Sequence, residues 1–416
     1  MAETGAHAAL SLTGGALRFG AGVLERLGDE LLELGARRPV VIADAAVERV
    51  GTAQRALASL VLAGLPDVLL LAPEGEPTDA GIERLAAQAG EADAVVALGG
   101  GAAIDAAKGV ALLLGAGGEL LDYVNPPFGA GRAPARPPVP LVAVPTTAGS
   151  GSEVSPIAVL DLVAQGVKTG ISHARLRPAL ALADPTTTVS LPPGATAAAG
   201  LDALSHALES LTARRFDVDP GDGPAARRGA YSGASPYSDA LCERALPLIA
   251  GALPRAVRDG GDLGARTDLM LGATLAGLGA AVAGAQLAHA LAYALASTGE
   301  GVPHGLAVAA VLPSTLRFSF AADPAAHLRA AAALEQAAGA AAQDALADAE
   351  RLPAAVAALS RAVGVEPGLA PLGLGAVDLP ALAEQAARQE RLVAGSPLPA
   401  GREQLERLLG DALGPI

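Results

Sequence analysis

The pattern of apolar residues changes about midway along the chain, and this change limits the fold more than any other feature. Up to residue 192, short apolar runs alternate with helical patterns, which is typical of βαβ units around a parallel sheet. The predicted strands lie at 37–44, 66–72, 93–101, 140–147 and 178–185. From about residue 195 onward, long Ala- and Leu-rich segments with helical periodicity replace the strand signals. We therefore expect an α/β domain over 1–192 and an all-helical domain over 193–416.

Composition excludes several classes of protein. A chain of 416 residues is long enough for two domains and a large core. Its net charge of −14 argues against nucleic acid as a partner. The single cysteine, Cys242, rules out a disulfide framework and fits a reducing cytoplasm. The opening MAETGAHAAL lacks the basic and apolar regions of a secretory signal.

One uncharged stretch, 269–299, has the length of a membrane span. It contains Gln286, His289 and Tyr293 together with many Gly and Ala residues. These residues favour a buried helix hairpin, and we expect no membrane partner.

Four side chains form a candidate metal site. Asp202 and His206 are four residues apart, so on a helix they project from one face. His289 and His304 lie on either side of a Gly/Pro turn. One carboxylate and three imidazoles suit a divalent transition metal with a coordination position left open for substrate. The alternative is that each histidine is a hydrogen-bonded core residue. His7, His173 and His327 show no companion pattern, and we expect them to be structural or solvated.

A glycine run forms a candidate phosphate site. Gly99, Gly100 and Gly101 follow a predicted strand and precede a predicted helix, where backbone amides favour a pyrophosphate. The order differs from G-x-G-x-x-G, and the acid that would contact the ribose, Asp44, ends an earlier strand. A carboxylate there favours NAD over NADP, because it would repel a 2′-phosphate. The alternatives are a tight turn for the glycines and a helix N-cap for Asp44.

Hydroxyl groups and rare lysines add weaker indications. Thr146 and Thr147, after the fourth predicted strand, could bind a phosphate or the nicotinamide amide, or could only cap the next helix. The chain has two lysines among its 29 basic residues, Lys108 and Lys168, and both fall in candidate site segments.

Taken together, these motifs resemble the iron-containing (group III) alcohol dehydrogenases over nearly the whole chain. The matching segments are FGAG (19–22), GGGAAIDAAK (99–108), PTTAGSGSE (145–153), ADP (183–185), GLDALSHALES (200–210) and VPHG (302–305). The hydroxyacid-oxoacid transhydrogenase branch is suggested by EPTD (76–79), DYVNPPFGAG (122–131), RRGAYSGASPYSD (227–239) and HALAY (289–293).

This resemblance implies a dehydroquinate synthase-like fold, with a nucleotide-binding α/β domain, a helical metal-binding domain and an active site in the cleft between them. It implies that Asp202, His206, His289 and His304 hold Fe²⁺ or Zn²⁺. It implies NAD contacts from Asp44, Gly99, Gly100, Gly101, Ala102, Asp105, Thr146, Thr147, Lys168 and Thr187.

Two departures from the family pattern stand out. Ala102 occupies a position where the family often has Ser, and Tyr293 replaces a His of many members, which makes Tyr293 a candidate for the proton route.

The reaction implied is hydride transfer between NAD(H) and the hydroxyl or carbonyl carbon of a small hydroxy acid, of the 4-hydroxybutyrate plus 2-oxoglutarate type. Arg227 and Arg228, in the 214–236 insertion, are candidates for binding the substrate carboxylate, or are solvated on a surface loop. The alternatives are an ordinary NAD-dependent dehydrogenase of short alcohols or aldehydes, a dehydroquinate synthase-like lyase, and a non-catalytic NAD-binding protein. A homodimer or higher homo-oligomer is the default assembly.

Overall fold

The chain divides into two compact units. The computed structural model describes residues 14–66, 68–73, 75–218, 231–296, 301–339, 346–375 and 379–414. The first unit, called here the sheet unit, comprises Gly14–Ala199 and Arg255–Thr274. The second, called the helical unit, contains Gly200–Pro254 and Leu275–Ile416.

The sheet unit is built on six parallel strands in the order β1-β8-β5-β4-β2-β3. Two further strands, β6 and β7, form an antiparallel hairpin. The strands are β1 (Ala16–Phe19), β2 (Pro39–Ala43), β3 (Leu69–Leu71), β4 (Ala94–Gly99), β5 (Leu141–Pro145), β6 (Ile157–Leu162), β7 (Val167–Ser172) and β8 (Leu180–Ala183).

The sheet is buried on both faces, which explains its near-continuous apolar strands. Every residue of β2, β4, β5 and β8 is buried. Successive side chains of a strand point to opposite faces, so Val40 and Ile42 join one core cluster while Val41 and Ala43 join the other. The covering helices are α1 (Leu27–Glu33), α2 (Ala45–Arg49), α3 (Thr52–Leu62), α4 (Asp79–Ala89), α5 (Gly101–Ala116) and α6 (Leu120–Tyr123).

The second half of the chain is helical, as expected. Its helices are α7 (Pro193–Leu211), α8 (Pro236–Arg258), α9 (Leu263–Ala283), α10 (Leu287–Ala296), α11 (His304–Ser319), α12 (Pro324–Ala337), α13 (Asp348–Ala362), α14 (Leu379–Ala387), α15 (Glu390–Val393) and α16 (Arg402–Asp411). The core of the helical unit consists mainly of Ala and Leu side chains, and α10 is buried from Leu287 to Leu295.

The boundary between the units differs from the expected position. Residue 192 immediately precedes α7, whereas the units divide within that helix, at Gly200. The segment Arg255–Thr274 belongs to the sheet unit although it lies among the later helices. Its helical periodicity matches that of its neighbours, so sequence alone could not assign it.

The uncharged stretch forms parts of two helices rather than one span. α9 and α10 meet at a bend of 102°, sharper than a continuous helix and more open than an antiparallel hairpin. A separate segment, His304–Ala322, has the length and composition of a membrane span, and 67% of its apolar window is buried within the protein. Such burial is typical of a core helix.

Candidate metal centre and nucleotide-binding residues

The four predicted metal ligands converge on one carboxylate oxygen. α7 carries Asp202 and His206, α10 carries His289, and His304 is the first residue of α11. Oδ1 of Asp202 lies 3.9 Å from His206 Nδ1, 3.7 Å from His289 Nε2 and 3.9 Å from His304 Nε2. The Nε2 atoms of His206 and His289 are 3.1 Å apart. His206 can bind an ion through only one of its two ring nitrogens. With one atom from each residue, Asp202, His206 and His289 offer ligand atoms that all lie within 4.8 Å of one another, which fits a single ion.

Unsatisfied buried atoms also fit a cation. Asp202 Oδ1 and His206 Nδ1 are buried, and neither has a hydrogen-bond partner within the described part of the chain. Leaving such groups unsatisfied costs about 1–3 kcal/mol each. An ion between them would remove this cost.

The protonation states of the two helix α7 residues are those that metal binding needs. Burial raises the pKa of Asp202, but the adjacent His206, His304 and His289 bring it below its ordinary value. Burial lowers the pKa of His206, and the Asp202 carboxylate only partly offsets this effect. An ionised carboxylate and a neutral imidazole result, and metal ligands must be deprotonated.

Glu209 orients His289, and the sequence analysis missed it. Its Oε2 accepts a hydrogen bond from His289 Nδ1, and its Oε1 accepts from the backbone N–H of Ala288 at 2.7 Å. The bond to Nδ1 leaves His289 Nε2 facing Asp202. Carboxylates in this position fix the ring orientation of a metal-binding histidine. The available signal was the spacing of three between His206 and Glu209, which places both on one side of α7.

Glu209 also anchors the start of α10. Its Oε2 accepts from the backbone N–H of Gln286 at 3.2 Å, and the Gln286 amide donates to the Glu209 carbonyl at 2.9 Å. Burial lowers the pKa of His289, but the Glu209 and Asp202 carboxylates together outweigh burial and the pKa is raised.

Tyr293 lies beside this cluster. It follows His289 by one helical turn on α10 and is 5% exposed. The centroids of the Tyr293 and His304 rings are 5.6 Å apart. The structure therefore places this residue next to the four predicted ligands.

The predicted nucleotide-binding segments come together at the carboxyl ends of adjacent strands. β4 ends at Gly99, Gly100 is the N-cap of α5, and the Thr146 N–H donates to the Gly99 carbonyl at 2.9 Å. A Cβ on Gly100 would lie 3.3 Å from Thr147 Cγ2, and one on Gly101 would lie 2.7 Å from Ser150 Oγ. This edge of a parallel sheet is where α/β proteins bind nucleotides.

Asp44 caps a helix, and its contact with a ribose stays a prediction. Its Oδ1 accepts from the Val47 N–H at 2.9 Å and so caps α2. Its Oδ2 lies 3.0 Å from where a Cβ of Gly99 would be. The carboxylate therefore caps a helix and also faces the glycine run.

The side chains of Asp105, Lys168 and Thr187 are engaged within the protein. Asp105 accepts from the Val159 N–H at 3.0 Å, from Lys108 at 3.3 Å and from Ser152 Oγ. Lys168 pairs with Glu76 and Asp161, both at 3.1 Å. Thr187 Oγ1 donates to backbone carbonyls of Pro145 and Asp184. Their contacts with NAD stay predictions.

Ala102, in the first turn of α5, has no hydroxyl to offer a phosphate. Arg227 and Arg228 lie outside the described residues.

Family models cover most of the chain. The model described as "Iron-containing alcohol dehydrogenase" matches residues 15–185, and "Fe-containing alcohol dehydrogenase family, C-terminal" matches residues 230–413. The chain belongs to the iron-containing alcohol dehydrogenase family. It is therefore an enzyme, an oxidoreductase with the fold of this family.

Curated relatives within this family share about a third of their residues with the chain. The mitochondrial hydroxyacid-oxoacid transhydrogenase of Xenopus laevis is 36% identical over 410 residues, covering 94% of this chain and 88% of that protein. The human protein of the same name is 34% identical over 412 residues, covering 94% and 87%.

Solved structures of the family superpose closely. A 1,3-propanediol oxidoreductase has a TM-score of 0.84 at 27% identity, covering 97% of this chain and 100% of that one. A sulfoacetaldehyde reductase from Bifidobacterium kashiwanohense, solved in complex with NAD⁺, has a TM-score of 0.80 at 24% identity, covering 98% and 99%. The latter supports the fold alone.

Proposed function

We propose that this iron-containing alcohol dehydrogenase homologue is a hydroxyacid-oxoacid transhydrogenase. It would take a hydride from the hydroxyl-bearing carbon of a small hydroxy acid such as 4-hydroxybutyrate, pass it to NAD⁺, and return it to the carbonyl carbon of an oxo acid such as 2-oxoglutarate. The observation that carries the proposal is the convergence of three imidazoles on one ionised carboxylate oxygen. The choice of substrates is supported by relatives named for this reaction, at 34–36% identity over 94% of the chain.

The protein residues would perform separate tasks at the metal centre. Asp202, His206, His289 and His304 would hold Fe²⁺ or Zn²⁺, which accept the same ligands. When bound, such an ion supplies Lewis acidity toward the substrate oxygen. Glu209 would keep the His289 ring in its binding orientation, and Tyr293 Oη is our candidate to pass on the proton that the hydroxyl loses. No protein side chain needs to act as a nucleophile.

The sheet unit would hold the dinucleotide. The Gly99–Gly101 turn and the N-terminus of α5 would accommodate the pyrophosphate. The second oxygen of the Asp44 carboxylate, Oδ2, would accept a hydrogen bond from a ribose hydroxyl, which favours NAD over NADP. Thr146 and Thr147 would contact a phosphate or the nicotinamide amide.

The second candidate function is an ordinary NAD-dependent alcohol dehydrogenase that releases its cofactor in each cycle. The similarity to the solved 1,3-propanediol oxidoreductase, with a TM-score of 0.84, supports this second candidate. A cytoplasmic location and a homo-oligomeric assembly are also proposals; the transhydrogenase relatives are named as mitochondrial.

One assay separates the two functions. Purified enzyme is incubated with 4-hydroxybutyrate and NAD⁺, with and without 2-oxoglutarate, while free NADH and 2-hydroxyglutarate are measured. A transhydrogenase forms 2-hydroxyglutarate and accumulates little NADH. Steady NADH release that does not respond to the oxo acid would establish the ordinary dehydrogenase instead.

A further inference from the structure

Arg391 on α15 is a cation held on an aromatic platform within the helical unit. Its Cζ lies 4.9 Å from the centroid of the Tyr231 ring. The Tyr231 ring packs against Gly284, where a Cβ would come within 2.5 Å of the ring Cδ2. Next to it, the Ser232 N–H donates to the Val282 carbonyl at 2.7 Å. The platform is therefore fixed in place by the segment that ends α9.

The guanidinium has no counter-ion in the described residues. Arg391 makes no ion pair with any carboxylate in those ranges, whereas Arg351 pairs with Glu335 and Arg18 pairs with Glu30. Its Nη1 is buried and has no hydrogen-bond partner there. Burying a positive charge that has an unused N–H donor costs free energy unless an anion pairs with it.

Two phenols lie beside the guanidinium. Burial lowers the pKa of Arg391, but Tyr231 and Tyr293 outweigh burial and raise it above its usual value. A phenol forms a weaker hydrogen bond with a guanidinium than a carboxylate does, so a carboxylate would bind Arg391 more strongly than these two rings.

Arg391 lies next to the candidate metal centre. Tyr293, which contacts Arg391, has its ring 5.6 Å from that of His304. One side chain, Tyr293, thus links Arg391 to the predicted ligand His304.

We propose that Arg391 binds the carboxylate of the hydroxy acid and oxo acid substrates and selects them over neutral alcohols. Tyr231 and Tyr293 fix the plane of the guanidinium, whose parallel N–H groups match a carboxylate. This assignment rests on the proposed function, and it gives the substrate carboxylate a site within the described residues, whereas Arg227 and Arg228 lie outside them.

The test compares an acid with its neutral isostere. 4-Hydroxybutyrate and 4-hydroxybutyramide are assayed with wild type, Arg391→Gln, Arg391→Lys and the control Arg388→Gln, which removes an exposed arginine three residues away. We expect Arg391→Gln to lower kcat/KM for the acid on the order of 100-fold, mainly through KM, and to change that for the amide by less than about 3-fold. Arg391→Lys should fall between, and Arg388→Gln should match wild type.

Binding of glutarate, a dicarboxylate with no group to oxidise, is measured on the same proteins by calorimetry. We expect wild type and Arg388→Gln to bind it and Arg391→Gln to lose binding. An equal loss of activity toward acid and amide, or glutarate binding that survives in Arg391→Gln, would overturn the proposal. If Arg391→Gln does not fold, Arg391→Lys decides by the same acid-to-amide comparison.

The same data separate this inference from the proposed function. Wild type that binds glutarate through Arg391 but oxidises neither compound would refute the hydride-transfer proposal while leaving the carboxylate site standing. Wild type that oxidises both compounds equally well, with no glutarate binding, would refute the carboxylate site alone.

Discussion

The Glu209 carboxylate accepts a hydrogen bond from His289 Nδ1, and this contact directs the opposite ring nitrogen toward Asp202. The two residues are 80 positions apart in sequence, and both are nearly inaccessible to solvent. Because the same carboxylate also accepts from two backbone N–H groups at the start of α10, the orientation of His289 is tied to the position of its helix.

Glu209→Gln should weaken metal binding without abolishing it. The amide keeps the shape of the side chain but loses the charge that strengthens its bond to His289. Loss of such an outer partner typically costs 10–100-fold in metal affinity, and we expect a change in that range. Competition with a chelator of known affinity measures it. Glu243→Gln, which alters an exposed residue paired with Arg329, should have no effect; an equal effect of both variants would contradict the role of Glu209.

Asp44→Ser should shift the cofactor preference from NAD toward NADP. Serine retains the N-cap of α2, because its hydroxyl accepts from the same backbone N–H, but it removes the charge that repels a 2′-phosphate. We expect the ratio of NADP to NAD affinities to rise at least about 10-fold, the factor corresponding to about 1.4 kcal/mol. Titration of the two reduced cofactors by fluorescence measures the ratio. An unchanged ratio would show that Asp44 only caps the helix.

Gly99→Ala should destabilise the sheet unit and weaken nucleotide binding. The added Cβ would lie 2.6 Å from the Ala103 Cβ and 3.0 Å from Asp44 Oδ2, so strand and helix must shift apart. Overpacking of this kind costs about 1–3 kcal/mol. Urea unfolding and NADH titration measure the two effects. Gly194→Ala is the control, because a Cβ there meets nothing within 4 Å; similar losses in both variants would count against the close approach at Gly99.

We expect His327, which lies on α12 and contacts Ser319 of α11, to make the free energy of unfolding depend on pH. Its Nδ1 donates to the Asp323 carbonyl at 2.8 Å and its Nε2 accepts from Ser319 Oγ at 3.0 Å, so both ring nitrogens are satisfied in the neutral form. Burial holds the pKa of His327 below 6.5. The folded state therefore binds the proton less readily than the unfolded state, and its stabilisation is complete above pH 6.5 and is lost as the pH falls through the folded pKa.

His327→Gln tests this dependence. The free energies of unfolding of the two proteins, measured from pH 8 to pH 5, should converge as the pH falls below 6.5. Their difference at pH 8 reports packing and hydrogen bonding alone, so it serves as the internal control. Parallel curves over the whole range would contradict the assignment.

Sequence patterns predicted those parts of the fold that depend on local periodicity. The apolar runs of β2, β4, β5 and β8 were recognisable because strands buried on both faces have no polar positions. β1 was missed because it has four residues and its side chains are only partly buried. The β6–β7 hairpin was missed because its pairing of Asp161 with Lys168 joins residues whose charges hide a strand pattern.

The residues of the candidate site also separate into those that local sequence patterns indicated and those that they did not. Asp202 and His206 were recognisable from their helical spacing, and His289 and His304 from their chemistry. Glu209 and Arg391 were not, because each acquires its role from partners far away in sequence. Arg391 is one of many arginines in the chain, and only the packing of Tyr231 and Tyr293 distinguishes it.

The transfer of an isotopic label tests the central claim most directly. Enzyme, NAD⁺ and 4-hydroxybutyrate deuterated at both hydrogens of C4 are incubated with unlabelled 2-oxoglutarate, and the 2-hydroxyglutarate formed is examined by mass spectrometry. Hydride transfer through the cofactor predicts one deuterium, at C2, in the product of wild type, and no product from His206→Ala. Unlabelled 2-hydroxyglutarate from wild type, or undiminished labelled product from His206→Ala, would contradict the account.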